Sequence, residues 1–136
     1  MREPGQQVLD EVVHAAVLVD GIQSAALFVV APLSSSLELA AAAGIAGPPL
    51  DGLVAAVRNP AHPVARALLD DGPTFDVLPM APGGPRLRSH LPLQVDRDGR
   101  AEAVGVLALA HDAPLDEGRR AELITLADEA ATAIGQ

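Results

Sequence analysis

Three basic side chains alternate along a predicted strand in the C-terminal half of the chain: Arg86, Arg88 and His90. The positions between and beyond them are mostly leucine. Successive side chains of a strand point to opposite faces, so one face of this strand is polar and the other apolar. Guanidinium and imidazole groups side by side can bind a carboxylate or a phosphate. The row therefore has two interpretations: a polar stripe at an exposed or edge position, or the border of a pocket that attracts an anionic ligand.

Four further residues could line the same pocket. His62 and Arg66 lie on a predicted short helix, where both can equally be solvated, and an arginine there can also lie over apolar surface. Phe28 and Phe75 are the two phenylalanines of a chain without Tyr or Trp. Each of them either belongs to the core or offers its ring to a ligand.

The composition excludes several classes of chemistry. The chain has no Cys, which rules out thiolate nucleophiles, disulfides and Cys–metal sites. No serine stands in a Gly-x-Ser-x-Gly context, and the acidic turns Asp70-Asp71 and Asp96-Arg97-Asp98 do not repeat the spacing of a calcium-binding loop. We therefore expect neither an enzyme nor a metal site, and no cofactor.

Charge and hydropathy limit the partners. The net charge is −9 and every basic residue is Arg, so this acidic chain without a basic stripe is not expected to bind nucleic acid or an anionic membrane directly. The longest apolar runs are shorter than the roughly 20 residues that cross a bilayer, and the first residues lack a signal-peptide pattern. The sequence is interpreted as a cytoplasmic protein and, at 136 residues, as a single domain over 1–136.

Two predicted strands are apolar on both faces and organise the rest of the chain. One is Ala25–Ala31. The other is Ala101–Ala110, the second arm of a hairpin that begins at Arg86 and turns at Asp96–Arg100. A strand that is apolar on both faces has to lie inside a sheet with a covering layer on each side.

The covering layers come from the remaining segments. The patterns predict helices at Pro4–Asp20 and from Asp116 to Ile134, a strand at Leu37–Ala43, short helices at Leu50–Arg58 and His62–Gly72, an extended segment at Pro73–Val77 and a loop at Leu78–Pro85. Both terminal helices carry apolar residues on more than one side. This excess favours a homodimer formed through a helical bundle.

Four segments together resemble a known family. They are, in chain order, Pro63–Pro73 before the third strand, Leu91-Pro92-Leu93, Gly105-Val106-Leu107-Ala108-Leu109, and the helix that follows Leu115-Asp116-Glu117. The ordered set resembles a GAF domain, a small-molecule sensory module common in bacterial signalling proteins. The resemblance implies an α+β, GAF/PAS-like fold with a central antiparallel sheet of five or six strands in the order 2-1-5-4-3. The N- and C-terminal helices would cover one face, and the short helices and loops would roof a pocket on the other.

The chain departs from several GAF subclasses. Attachment of a bilin and reduction of methionine sulfoxide both use a Cys, and the cyclic-nucleotide signature Asn-Lys-x-x-x-Phe-Asp-Glu contains a Lys, whereas this chain has neither residue. Haem-binding members use a histidine. Of the four here, His14 is expected on a helix surface and His111 in a solvated loop, which leaves His90 and His62. We expect neither haem nor a covalent bilin.

The resemblance implies a non-catalytic sensory module that binds an unidentified small molecule in an aliphatic pocket and signals through dimeric terminal helices. The alternative is a homodimerisation or protein-interaction module with a vestigial pocket. The two hypotheses differ in whether the space beneath residues 50–85 is a cavity or is filled by side chains.

Overall fold

The helices and strands follow the order that the sequence predicts, with changed boundaries. A computed structural model describes residues 4–31, 36–78 and 87–135. In chain order its elements are α1 (Pro4–Leu18), β1 (Ile22–Val30), β2 (Leu37–Ala43), α2 (Gly47–Ala56), α3 (Pro63–Arg66) with a 3₁₀ turn at Ala67–Leu69, β3 (Thr74–Val77), β4 (Leu87–Arg97), β5 (Arg100–His111) and α4 (Glu117–Gly135). Most of the predicted loop Leu78–Pro85, and Arg86 after it, lie outside the described residues.

The five strands form one antiparallel sheet in the order β2-β1-β5-β4-β3. β1 and β5 lie side by side, with Leu27 opposite Leu107 and Phe28 opposite Val106. The predicted strand order is therefore confirmed. The inner position predicted for these two strands is confirmed too, because their central residues are buried on both faces.

α1 and α4 cover one face of the sheet. Their buried residues join the sheet in a single core and are Leu9, Val12, Val13 and Ala16 from α1 and Leu123, Ala127, Ala130 and Ala131 from α4. The sequence predicts apolar side chains on more than one side of these helices, and most of those side chains are buried in this core. Of the large apolar side chains described on α1 and α4, Leu18 (84%) and Ile124 (38%) remain exposed.

α2, α3 and the 3₁₀ turn cover the opposite face and form a second core. Val57, Val64 and Ala67 pack there in one cluster with Phe28. The second short helix does not reach Gly72 as the sequence predicts. It tightens into the 3₁₀ turn after Arg66, and the chain becomes extended at residue 70.

The β4–β5 turn is also tighter than the predicted Asp96–Arg100. Asp98 and Gly99 both have positive φ and connect the paired residues Arg97 and Arg100. Two residues with positive φ match the right-handed twist of a hairpin, so the strands can continue right up to the turn.

Gly105 marks the closest approach of the two inner strands. It lies opposite Val29 on β1 and Leu93 on β4. A Cβ atom at this position would overlap the backbone carbonyl oxygen of Phe28 and lie 3.2 Å from the Leu93 Cδ1 atom. A larger residue would therefore push β5 away from both neighbours.

We predict that Gly105→Ala lowers the free energy of unfolding by about 1–3 kcal/mol, because the added methyl group overpacks a site bounded by backbone. Gly52→Ala is the matched control. Gly52 lies in α2 with no heavy atom within 4 Å of a built Cβ, so alanine there should raise the stability by about 0.5–1 kcal/mol. Urea denaturation measures both changes. If Gly105→Ala were as stable as the wild type, β5 would be able to move away from β1 and β4 without a loss in the free energy of unfolding.

Candidate functional site

Three of the seven predicted site residues come together on the face that α2 and α3 cover. Arg88 and His90 are alternate residues of β4, and His62 immediately precedes α3. His62 and Arg88 both lie near enough to His90 to influence its charge. We refer to His62, Arg88 and His90 as the His90 cluster.

The other four predicted residues lie elsewhere. Phe28 is fully buried in the core beneath α3 and so forms part of the floor of this face. Arg66 is exposed at the end of α3. Phe75 packs against the core on the α1–α4 face, with the Arg120 guanidinium 4.8 Å from its ring centre. Arg86 lies outside the described residues.

His90 is the most buried member of the cluster. It pairs with Ala108 on β5 and with Thr74 on β3, and 6% of its surface is exposed. Its imidazole ring makes no hydrogen bond with any residue in the described parts of the chain. Every fully enclosed side-chain nitrogen or oxygen atom in the described residues has a hydrogen-bond partner. The unbonded ring nitrogens of His90 therefore reach the surface, where a bound molecule can contact them.

The surroundings keep the His90 ring neutral. The pKa of His90 is lowered from 6.5 to about 4, chiefly by burial and also by the positive charges of His62 and Arg88, while Asp70 acts in the opposite direction. A neutral imidazole offers one N–H donor and one nitrogen acceptor. At neutral pH the ring can therefore both donate to and accept from a bound molecule.

The two other members are held in place by the backbone. The His62 Nδ1 atom accepts a hydrogen bond from the Val64 amide at 3.2 Å, and burial lowers the pKa of His62. One guanidinium nitrogen of Arg88 donates to the Leu87 carbonyl oxygen at 3.2 Å. Burial lowers the Arg88 pKa while Asp112 raises it, and the guanidinium group keeps its charge at neutral pH as arginines in proteins do.

The space between the short helices and the sheet is occupied in the described part of the chain. Phe28, Val57, Val64 and Ala67 are each at most 3% exposed there. An open depression of about 220 Å³ lies on the outer side of α2, and Asp51, Val54, Ala55 and Arg58 line it. The His90 cluster is not among the residues that line this depression.

A second buried polar group lies on the opposite face and was missed from the sequence. His111 is fully buried at the end of β5, so the expectation of a solvated loop residue is wrong. The signal was present, because His111 shares the parity of Leu107 and Leu109 and directly follows the apolar run that ends at Ala110. Ser89 is fully buried beside it.

Ser89 and His111 form a hydrogen-bonded pair. The Ser89 Oγ and His111 Nε2 atoms are 2.8 Å apart, and the His111 Nδ1 atom is 2.8 Å from the Ala113 carbonyl oxygen. A carbonyl oxygen can only accept, so Nδ1 carries the proton and Nε2 accepts from the serine hydroxyl. Such a pairing resembles a nucleophile with its base. Both side chains are enclosed in the core, however, and the serine oxygen also accepts from the Asp76 amide at 3.2 Å.

The described residues contain no group of three or more His, Cys, Asp or Glu side chains arranged to hold a metal ion. Each helix in the same part of the chain is too short or too polar to span a membrane.

No protein-family model and no curated sequence matches the chain, but solved structures do. The GAF domain of an Acinetobacter phosphoenolpyruvate-protein phosphotransferase superposes with a TM-score of 0.72 at 14% identity, over 98% of this chain and 84% of that one. The GAF-B domain of DevS from Mycobacterium smegmatis superposes with a TM-score of 0.71 at 20% identity, over 96% and 93%. This chain has the GAF fold.

The similarity at these identities establishes the GAF fold and not a ligand. A third structure with the same fold is a type II free methionine-R-sulfoxide reductase from Thermoplasma acidophilum, with a TM-score of 0.73 and 13% identity over 96% of this chain and 92% of that one. The GAF fold therefore occurs in sensory domains and also in an enzyme. The distinction for this chain has to come from its own residues.

We predict that His90 makes stability depend on pH. The folded-state pKa of about 4 lies below the ordinary value of 6.5, so as the pH falls the unfolded state binds a proton first. The contribution of His90 is therefore intact above about pH 6.5 and is lost between about pH 6.5 and pH 4, by an amount on the order of 3 kcal/mol.

Urea denaturation of wild type and His90→Gln at a series of pH values measures this effect. The variant should lose less stability on acidification than the wild type. His14→Gln is the control, because His14 is exposed, and it should follow the wild-type curve. Parallel curves for wild type and His90→Gln would show that the ring titrates as it does in the unfolded chain.

Proposed function

We propose that this chain is a non-catalytic sensory module that binds a small molecule at the His90 cluster. The observation that carries the proposal is the position of the neutral His90 ring beside His62 and Arg88. The residue is mostly buried, and its ring nitrogens have no protein partner in the described chain but are not fully enclosed. They are therefore free to donate to and accept from a ligand.

The cluster and its surroundings define the chemistry of the ligand. The neighbouring core is aliphatic apart from Phe28, while Arg88 supplies a positive charge and His90 a neutral donor and acceptor. These groups suit a small, mainly aliphatic molecule with one acidic group, and the carboxylate would face Arg88. A large flat ring system would find only one aromatic side chain to stack on.

A ligand that extends from the His90 ring into the core requires the roof to move, because Phe28, Val57 and Val64 are packed beneath it. α2 is the element suited to this movement, since none of its residues is buried and Gly47 at its start has a φ of 63°. An element with few buried apolar contacts opens at low free-energy cost. The ligand would then select the open arrangement by its higher affinity for it.

We predict that native mass spectrometry of gently purified protein shows a retained small molecule or, after addition of a series of aliphatic carboxylates, a bound one. His90→Gln should lose this adduct, because Gln cannot reproduce the geometry of the ring, and His14→Gln should retain it. Absence of an adduct with every carboxylate in the wild type would overturn the proposal. Retention of the adduct in His90→Gln would place the ligand elsewhere.

Homodimerisation through the terminal helices is the second candidate function. It is favoured by Leu18, which is 84% exposed at the end of α1, and by Ile124, which is 38% exposed on the adjacent α4. Two copies related by a two-fold axis would cover these side chains in one interface. Each buried leucine would contribute about 1.5–3 kcal/mol.

We predict that Leu18→Gln weakens self-association at least about tenfold, since each dimer loses two buried leucines. Leu69→Gln is the matched control, because Leu69 is equally exposed at 85% but belongs to the 3₁₀ turn on the opposite face. Light scattering across a concentration series measures both variants. A wild type that stays monomeric throughout the series would remove the dimer hypothesis.

A further inference from the structure

Asp76 on β3 has an unusual backbone conformation. Its φ is 60°, in the left-handed region that non-glycine residues rarely adopt. This conformation costs on the order of 1–2 kcal/mol. It persists when the surrounding contacts hold the residue in place, and Asp76 makes such contacts on two sides.

Three hydrogen bonds attach Asp76 to the rest of the protein. Its amide donates to Ser89 Oγ on β4 at 3.2 Å. Its carboxylate accepts from the Leu115 amide at 3.0 Å and from the Arg120 guanidinium at 2.6 Å. The residue thus connects the edge of the sheet with the start of α4.

Arg120 completes the attachment from the helix side. Its Nε atom donates to the Leu115 carbonyl oxygen at 2.9 Å, and its guanidinium lies over the ring of Phe75, the residue before Asp76. We refer to Phe75, Asp76, Leu115 and Arg120 as the β3–α4 clasp. The Asp76 side chain is 19% exposed, so solvent screens this ion pair less than it does a surface pair.

In the sheet, β3 pairs with β4. The register pairs Thr74 with His90 and Val77 with Arg88, with an irregularity between the two pairs. Both β4 partners belong to the His90 cluster. β3 therefore lies between the His90 cluster on one side and α4 on the other.

The start of α4 is also attached to α1. The Arg119 guanidinium is 2.8 Å from the Asp20 carboxylate just beyond the end of α1. The Asp116 side chain accepts from the Arg119 amide at 2.9 Å. A movement of the first turn of α4 would therefore reach both terminal helices.

We propose that the β3–α4 clasp couples the position of β3 to the first turn of α4, so that a displacement of β3 at the His90 cluster moves the start of the terminal helix. The use of this coupling in signalling rests on the proposed function. The coupling itself needs no ligand, and it is tested on the protein alone, so failure of ligand binding and failure of the clasp are distinguishable.

Amide hydrogen exchange, followed by NMR, measures whether the two ends of the clasp move together. Arg120→Gln perturbs the helix end, and the Asp76 amide should then exchange about tenfold faster because its holding contact is lost. Asp76→Asn perturbs the strand end, since Asn tolerates positive φ but lacks the charge. The amides of Arg119 and Arg120, which bond Asp116 and not Asp76, should then exchange about tenfold faster.

Two comparisons separate coupling from general destabilisation. Arg119→Gln breaks an exposed ion pair in the same helical turn and should leave the Asp76 amide at its wild-type rate. Arg120→Lys retains the positive charge near Asp76 and should give a rate between those of wild type and Arg120→Gln. The amide of Leu107 in the central strand should keep its wild-type rate in every variant.

Two results would overturn the proposal. One is a wild-type rate for the Asp76 amide in Arg120→Gln. The other is a rise at Leu107 as large as the rise at the clasp, because both ends would then respond to global unfolding and not to each other.

Discussion

The close pairing of β1 with β5 is the contact on which the rest of the structure depends. Both strands are buried on both faces, and Gly105 allows their backbones to meet beside Phe28. A two-sided apolar pair requires two covering layers, so α1 and α4 form one core and the short helices form another. The layers are unequal. Two long helices cover one face, whereas α2, which covers part of the other, has no buried residue.

The polar residues buried on the two faces of the sheet differ in their hydrogen bonding, and the proposed function depends on this difference. On the α1–α4 face, Ser89 and His111 are fully buried and hydrogen-bonded to each other, to the Asp76 amide and to a backbone carbonyl. On the other face, the imidazole of His90 has no such partner in the described chain, and its unbonded nitrogens are not fully enclosed. A paired polar network stabilises a unique arrangement, while a neutral ring with accessible nitrogens can donate to and accept from a ligand.

The strand order followed from the resemblance to GAF domains. The apolar residues on both faces of Ala25–Ala31 and Ala101–Ala110 independently required inner positions for these two strands. The sequence also placed Arg88 and His90 on one face by simple alternation. Alternation fails along β3 between Thr74 and Val77, where Asp76 has a positive φ and the register is irregular. Phe75 follows Thr74, the partner of His90, and therefore packs on the face opposite His90. The filled space under the short helices depends on tertiary packing, which no local pattern encodes.

Binding of a small acidic molecule at the His90 cluster can be tested with a crystal structure of protein purified without denaturation, gel filtration or dialysis, because such a structure shows what lies against the His90 ring. We predict a non-protein molecule within hydrogen-bond distance of one ring nitrogen, with an acidic group facing Arg88 and with α2 displaced from the sheet. A ring that bonds only to protein atoms or to water, beneath an unmoved α2, would contradict this prediction.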